Sequence, residues 1–526
     1  MNYFLKKAWL FFLLSLVCAI ASGQSKIELI KADKLRFDKE LGVDAQRLLG
    51  DVVFRHKGAL MYCDSAYLYN ETNSLDAFSN IRVNQGDTLT LASNFLNYDG
   101  NTQLIKVRDN VVLQDVDMTL STHTLDYDRN TGQAIFFDRG FIVSKSNQNE
   151  LVSCEGIYDS NSEFFFFRDS VVLINPKYRV ETDTLKYGNS SEIAYFFGPT
   201  FIYSEENTIY CENGWYDTFN DISQFNQNAY IDNGQQLLRG DSLWYSRNEQ
   251  LGKAYVNVSV IDTLDNFEIR GDYGEYNDSL GRNYVTGNAE MLQYDLSDTL
   301  FLHGDTLMAV EDSIIGNRVY AYPRVKFFRK DMQGASDSLI YASEDSLIHM
   351  YTEPVLWADD LQISGDTILI RTYQGVVENL YVFDHAFMTN RVDSAKYNQI
   401  KGKKLTGYFE KNDLRKININ GNGQSMYYAA EEQKKDTLGN PLGEPNYIGV
   451  NKAICSNIQI FMENREIDQI LFLTKPDGTF YPLEQLPDDE KFYDGFIWDE
   501  KRRPYSREDI FPLEKEEARI KVSDVE

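Results

Sequence analysis

Thr182-Asp183-Thr184-Leu185-Lys186-Tyr187 returns further along the chain as Gly240-Asp241-Ser242-Leu243-Trp244-Tyr245, and the shared skeleton is a small residue, an acid, then x-L-x-Y. The acid or its stand-in falls at Asp33, Asp64, Asn94, His123, Glu155, Asp183, Glu212, Asp241, Asp272, Asp305, Asp337, Asp366 and Asp393, a mean spacing of 30 residues. Self-similarity at such a period marks a stacked array in which each unit buries its apolar face on its neighbours.

Working outward, each copy reads as three short strands. The first holds x-L-x-Y, as in Thr124-Leu125-Asp126-Tyr127, and a turn such as Asp128-Arg129-Asn130-Thr131-Gly132 follows. The second is aromatic: Ala134-Ile135-Phe136-Phe137, Phe164 to Phe167, Ala194-Tyr195-Phe196-Phe197. The third follows a polar or glycine break, as in Gly50-Asp51-Val52-Val53-Phe54 and Asp109-Asn110-Val111-Val112-Leu113. Alternation, β-branched and aromatic enrichment and Gly/Asn/Asp punctuation all argue strand. Residues two apart share a face, so Leu185 and Tyr187 point inward while Thr184 and Lys186 point to water. The expected fold is an all-β, elongated antiparallel β-jellyroll or solenoid-like array of ~30-residue, three-strand repeats.

The ends differ from the array. Lys6 and Lys7 precede the apolar run Ala8 to Ile20, which closes in Ala21-Ser22-Gly23. This predicts a signal peptide over 1–23 and a mature start at Gln24. Cys18 follows Val17, a poor residue for lipoprotein processing. The repeat divides into a first segment, 24–175, and a second, 176–428. From 429 to 526 we expect a terminal cap with a partly ordered charged tail, and Asp477-Gly478 reads there as a hairpin turn.

A formal net charge of −28 argues against nucleic acid and against adsorption to anionic lipid surfaces. An apolar groove inside an acidic exterior is compatible with it. Cys63, Cys154 and Cys211 all occupy the small position before the acid, where other copies have Ala, Ser, Thr or Gly, and read as small fillers rather than a disulfide framework.

Ile30-Lys31-Ala32-Asp33-Lys34-Leu35-Arg36-Phe37-Asp38, Gly50-Asp51-Val52-Val53-Phe54 and Cys63-Asp64-Ser65-Ala66-Tyr67-Leu68-Tyr69 resemble the OstA-like family, which comprises LptA-type periplasmic lipopolysaccharide transport proteins and the N-terminal domain of the LptD outer-membrane translocon. The resemblance is clearest from Ile27 to about Leu173, and the repeat carries it more loosely to about residue 400. It implies a β-jellyroll open at its ends whose apolar interior shields lipid A acyl chains. It further implies a periplasmic location, outer-membrane association through partners, pairing with other lipopolysaccharide transport proteins by edge-strand β-augmentation, and a head-to-tail homo-oligomer. The alternative function is an envelope scaffold that uses its edges and carries no lipid.

Phe54, Phe136, Phe137, Phe164, Phe165, Phe166, Phe167, Phe196 and Phe197 are the candidates for a lipid groove, although plain core packing is the stronger reading for any single ring. Catalysis, cofactors and metals are not expected. Gly240-Asp241-Ser242-Leu243 spells an esterase nucleophile block, yet Gly304-Asp305-Thr306-Leu307 and Gly365-Asp366-Thr367-Ile368 stand in the same register, and a nucleophile needs a strand-to-helix turn and a positioned base. Stacked carboxylates invite calcium, but Asn94 and His123 interrupt the column, and Asp and Asn also cap turns. The five histidines show no metal spacing.

Overall fold

The computed structural model describes residues 25–512 apart from 38–44, 86–88, 115, 117, 146–147, 160, 189, 206, 265, 295–297, 311–315, 343–344, 374–375, 432–444 and 464–465. The expected leader over 1–23, residues 432–444 of the expected cap and its charged end from 513 lie outside the described residues. Among the described residues strand dominates, with a few short 3-10 turns and no α-helix, and the strands pair antiparallel. The all-β antiparallel jellyroll expected of the repeat is what the structure shows. No helix among the described residues is long and apolar enough to cross a membrane.

The repeat itself is built differently from the expectation. Outside residues 133–159 and 282–364 the second and third expected strands are one continuous strand, so a repeat there is two long strands rather than three short ones. Ser74–Gln85 holds both the Ala77-Phe78 and the Ile81-Arg82-Val83 segments, and Phe164–Asn175 does the same. The polar break between them is a β-bulge. Its two residues both take left-handed dihedrals: φ is 61° and 50° at Ser79-Asn80, 62° and 52° at Asp109-Asn110, 59° and 57° at Asp169-Ser170. The ladder register shifts at the same places. Asn, Asp and Gly tolerate this backbone best, which is why the break is polar. Gly198 takes φ 78° at its bulge, and a Cβ there would lie 2.9 Å from Asp183 Cβ. Gly198→Val is therefore expected to destabilise its unit by about 2 kcal/mol, read as a lower urea midpoint.

Each bulge bends its strand, so the two halves belong to two arms facing each other across a core. The arms part visibly in residues 256–526. There the first half of Phe267–Asn277 pairs with Glu290–Tyr294 and its second half with Arg282–Thr286. One ladder continues through Thr306–Val310, Arg318–Tyr322, Ser338–Ala342, Leu347–Tyr351 and Thr367–Tyr373. The other continues through Thr299–His303, Val325–Arg329, Met332–Ser336, Val355–Ala358 and Leu361–Ser364. Both meet again on the single strand Val376–Arg391. Ile368, Val382, Ile400, Leu405, Ile417 and Ile419 fill the core between the arms and are buried.

The chain forms two compact units, 1–255 and 256–526. Residues 175/176, the expected segment boundary, lie at the turn between Phe164–Asn175 and Tyr178–Gly188. From 447 onward the expected cap begins as more array: Tyr447–Glu463 pairs along Asp413–Ala430, then with Glu466–Leu473 and Asp477–Pro482. Asp477-Gly478 is not a hairpin turn. It lies inside a strand, and the left-handed pair is Thr474-Lys475, because the two short strands share one partner instead of pairing together.

The acid column sits on the outside of the bends. Its members bond to the bulge of the next strand: Asn80 Nδ2 donates to Asp64 Oδ2 (2.7 Å), Asn228 Nδ2 to Glu212 Oε1 (2.9 Å), Asn288 Nδ2 to Asp272 Oδ2 (3.0 Å). Arg324 and His385 take the same place beside Asp305 and Asp366. Within the column Asp393 caps a turn, accepting from the N–H groups of Ala395 and Lys396, but elsewhere turns are capped by a different acid, the one after the x-L-x-Y tyrosine. Asp99 Oδ1 accepts from the N–H groups of Asn101 and Thr102, and Asp159 and Asp217 repeat the arrangement. Partial burial would raise the Asp99 carboxyl, but these backbone donors outweigh it and hold it below its ordinary value.

The same hairpin tips carry an asparagine ladder. Asn101 Nδ2 donates to Thr72 O (2.8 Å), Asn130 Nδ2 to Thr102 O (2.5 Å), Asn161 Nδ2 to Thr131 O (2.7 Å), each reaching back one repeat. Asn130→Ala is expected to cost about 1 kcal/mol, measured by denaturant unfolding, since the bond is exposed and a single neutral one.

Candidate functional site

The strands of residues 118–218 enclose an apolar cavity between the two arms of the first unit. Here one strand is interrupted, not merely bent. Gln133–Phe136 joins one arm by pairing with Glu155–Asp159, while Gly140–Ser144 joins the other by pairing with Glu150–Ser153. Space not filled by atoms amounts to about 1060 Å³, counting the part open to solvent. The cavity volume proper is about 90 Å³, short of the roughly 300–1,000 Å³ common for ligand sites.

Local sequence explains the wall. The x-L-x-Y face supplies Leu125, Leu185, Tyr158 and Tyr187, and the opposite arm supplies Met118, Leu120, Ile142, Leu151, Leu173 and Val180. Phe136 is seated on glycine. A Cβ at Gly156 would lie 2.1 Å from its ring and one at Gly140 2.4 Å, so only two glycines let the ring lie flat against both strands. Phe165 packs on Tyr158 (ring centroids 4.5 Å) and stacks with Phe167 (6.3 Å, planes within 5°).

Of the nine phenylalanines singled out in the sequence, Phe136, Phe165, Phe167 and Phe196 line this cavity. Phe54 does not. It is fully buried in Ala45–His56, away from the cavity wall. Phe137, Phe164, Phe166 and Phe197 also fall outside it, because four consecutive residues of a strand cannot share one face. Phe137 and Phe197 are exposed. On that outer face Lys186 Nζ stands 3.8 Å from the Phe164 ring centroid, and Arg108 lies over Phe137 at 5.3 Å. Half of the wall is aliphatic, and alternation in x-L-x-Y carries the signal for its Leu and Tyr members.

The polar side chains in the wall are Tyr158, Tyr178, Tyr187 and Thr218. The Tyr178 hydroxyl is sealed from solvent with no protein partner. Tyr187 Oη comes close to the Thr218 hydroxyl without completing a well-formed bond, and Thr218 Oγ1 itself donates to Glu192 O (2.8 Å). Burial pushes the Tyr158 phenol up to about 12 and raises Tyr178 and Tyr187 further, so all three stay neutral at physiological pH. A neutral, apolar, partly open cavity desolvates a hydrocarbon chain, at about 0.8 kcal/mol for each CH₂ removed from water.

The second unit has a smaller cavity of about 70 Å³, lined by Leu356, Leu361, Ile363, Leu380, Phe409 and Met462, with the Arg329–Asp331 ion pair at its edge. Its outer face carries a feature with no repeat or periodicity in sequence. Residues 483–512 run as a strap across the strands of one arm. Gln399 donates to Lys491 O (3.0 Å) and accepts from Tyr493 N (2.9 Å). Gln362 donates to Ile497 O (2.7 Å) and accepts from Asp499 N (2.9 Å). Arg503 reaches Gln333, and Arg507 closes a bidentate pair with the buried Glu290 (2.6 Å to each oxygen). Phe492, Phe496 and Trp498 pack on Tyr397. The burial of Gln333, Gln362 and Gln399, one per repeat, is explained by this cover.

Ser242 lies within the strand Gln236–Ser246 and its hydroxyl donates to Asn226 Oδ1 (2.7 Å). Among the described residues no three His, Cys, Asp or Glu side chains gather as a metal site. Cys63, Cys154, Cys211 and Cys455 are unpaired, and burial raises the Cys63 and Cys211 thiols to about 12.

Residues 24–183 match the family model of the OstA-like proteins. No curated protein matches the chain.

Proposed function

We propose that this protein is a periplasmic carrier or bridge for lipopolysaccharide, sequestering acyl chains between the arms of its jellyroll and leaving the saccharide in water. The observation that supports it is the apolar cavity of residues 118–218, most of whose wall lies inside the stretch that matches the OstA-like model. The OstA-like match points to lipid transport in general; the cavity offers a place for a chain. The role is passive. Hydrophobic transfer drives uptake, no bond is broken, and direction comes from partner proteins.

Those partners include other lipopolysaccharide transport proteins and further copies of this chain, joined by strand pairing at open edges. At the N-terminal end Glu28–Lys31 and Lys34–Phe37 each pair with Ala45–His56, and among the described residues neither has a partner on its other side. Ile30, Leu35 and Phe37 are exposed there.

Native mass spectrometry and lipid extraction on protein purified from an envelope fraction test the proposal. A stoichiometric species containing lipid A is the expected result. Protein that is lipid-free, and takes up no added lipopolysaccharide, would refute the carrier role and leave the edge-pairing scaffold.

A further inference from the structure

We propose that the end of the C-terminal strap is a pH-operated latch: the neutral imidazole of His303 lets Arg507–Phe511 close over the sheet, and a second proton on that ring in mild acid releases them. The device does not depend on the lipid-carrying role.

Its basis is the hydrogen bonding of the ring. His303 ends the strand Thr299–His303 and is only 1% exposed. Its Nδ1 lies 2.7 Å from Ala289 O, and a carbonyl oxygen only accepts, so Nδ1 carries the proton. Nε2 is then the bare lone pair; it is buried and has no hydrogen-bond partner. The strap completes the enclosure, with the Phe511 ring on the imidazole at a centroid distance of 4.9 Å. A proton added at Nε2 would place a charged N–H in a dry site with nothing to accept it.

The charged groups around the ring are already engaged. Glu290, directly across the ladder on one side, takes the Arg507 guanidinium through both oxygens at 2.6 Å. Arg270, opposite Glu290 on the next strand, is held by Glu268. Lys326, across from His303 on its other side, donates to Asp509 O (3.2 Å). Asp305 Oδ1 is 3.9 Å from Nε2, and Arg324 holds both oxygens of that carboxylate. In the strap, Asp509 Oδ2 accepts from the N–H groups of Tyr505 and Ser506, and Glu508 is exposed. No carboxylate facing the ring is left over for a second N–H. Burial outweighs the pull of Asp305 and Glu290 and holds the His303 imidazole below its ordinary value.

With the strap end lifted, water reaches the ring, which then titrates at its ordinary value of about 6.5. A base lowered in the closed state favours closure fully above that value and less and less as pH falls below it. The ratio of closed to open strap ends should therefore fall by up to about ten-fold between pH 7.5 and 5.5. Release is confined to the end, because Gln362 and Gln399 grip residues 491–499 through amides, which do not titrate.

Hydrogen exchange of the full chain, read by mass spectrometry at pH 7.5 and 5.5 and corrected for intrinsic rates, tests the latch. Residues 505–511 should lose up to about ten-fold in protection in acid while 491–499 keep theirs. His303→Gln, whose amide can still donate to Ala289 O and does not titrate, should protect 505–511 equally at both values. If that variant leaves the end open at both, His303→Phe, which keeps a ring beneath Phe511, takes its place. Wild-type protection of 505–511 that is the same at both values would overturn the proposal. So would a pH dependence that survives in the variant, which would assign the titration to a carboxylate, or a loss shared equally by 491–499, which would be general unfolding.

Discussion

Ala194→Trp should weaken lipid binding by roughly a hundred-fold, because the indole occupies space that about four CH₂ groups of a chain would otherwise fill, at ~0.8 kcal/mol each. Ala194 is buried in the cavity wall, on the strand Ile193–Ser204 beside Phe196. The variant adds volume to a void, so its unfolding midpoint should hold or rise. Phe165→Asp attacks the same wall by polarity. It should also abolish binding, but it places a carboxylate among Tyr158, Phe167 and Leu185 and should cost about 3–5 kcal/mol of stability as well. Phe166→Asp, one residue along on the outer face, is the control and should change binding little. Displacement titrations with a fluorescent fatty acid, run beside thermal melts, separate the outcomes. If Ala194→Trp folds and binds as the wild type does, the cavity is not where lipid sits.

Arg507→Ala should destabilise the second unit by about 3 kcal/mol and free the strap for proteolysis. The guanidinium makes two charge-assisted bonds to Glu290, whose side chain is only 3% exposed. Its loss strands a carboxylate under the strap, and a stranded charge costs more than the pair contributed. The Arg507 side chain is itself 38% exposed, which keeps the expected value at the lower end for a broken buried pair. Replacing both members, Glu290→Leu with Arg507→Met, should recover most of the loss. Limited trypsinolysis with urea unfolding gives the comparison; an Arg507→Ala protein as protease-resistant as the wild type would mean that the glutamine contacts alone hold the strap.

The two effects differ in how far the sequence announced them. The interior half of the wall was legible because x-L-x-Y alternates, and alternation fixes the face of Leu125, Leu185 and Tyr187 once one face is buried. Phe136, Phe165, Phe167 and Phe196 follow the same parity. Their neighbours Phe137, Phe164, Phe166 and Phe197 were grouped with them on composition, and composition carries no parity. The bulges explain the miscounted strands. A polar pair such as Asp109-Asn110 ends a strand or kinks it with equal propriety in sequence, and only the paired neighbour, which keeps its ladder on both sides of the kink, decides between them.

The strap was hidden for a related reason. Residues 483–512 have no repeat and no periodicity, and their contacts are with glutamines far earlier in the chain, at 333, 362 and 399. Within the repeats those glutamines sit on what alternation marks as the wet face, so their burial has no local cause.

The sequence by itself determined the period, the β class, the inward face of each strand and the export of hydrophobic burial to neighbouring repeats, because these follow from side-chain alternation and turn chemistry acting over a few residues. The tertiary structure alone decided where the arms part to leave a cavity, which oxygen inside it goes unmatched, and which outer face the C-terminal strap covers. Each of those depends on groups brought together from distant repeats, and a one-dimensional pattern does not encode the fit between them.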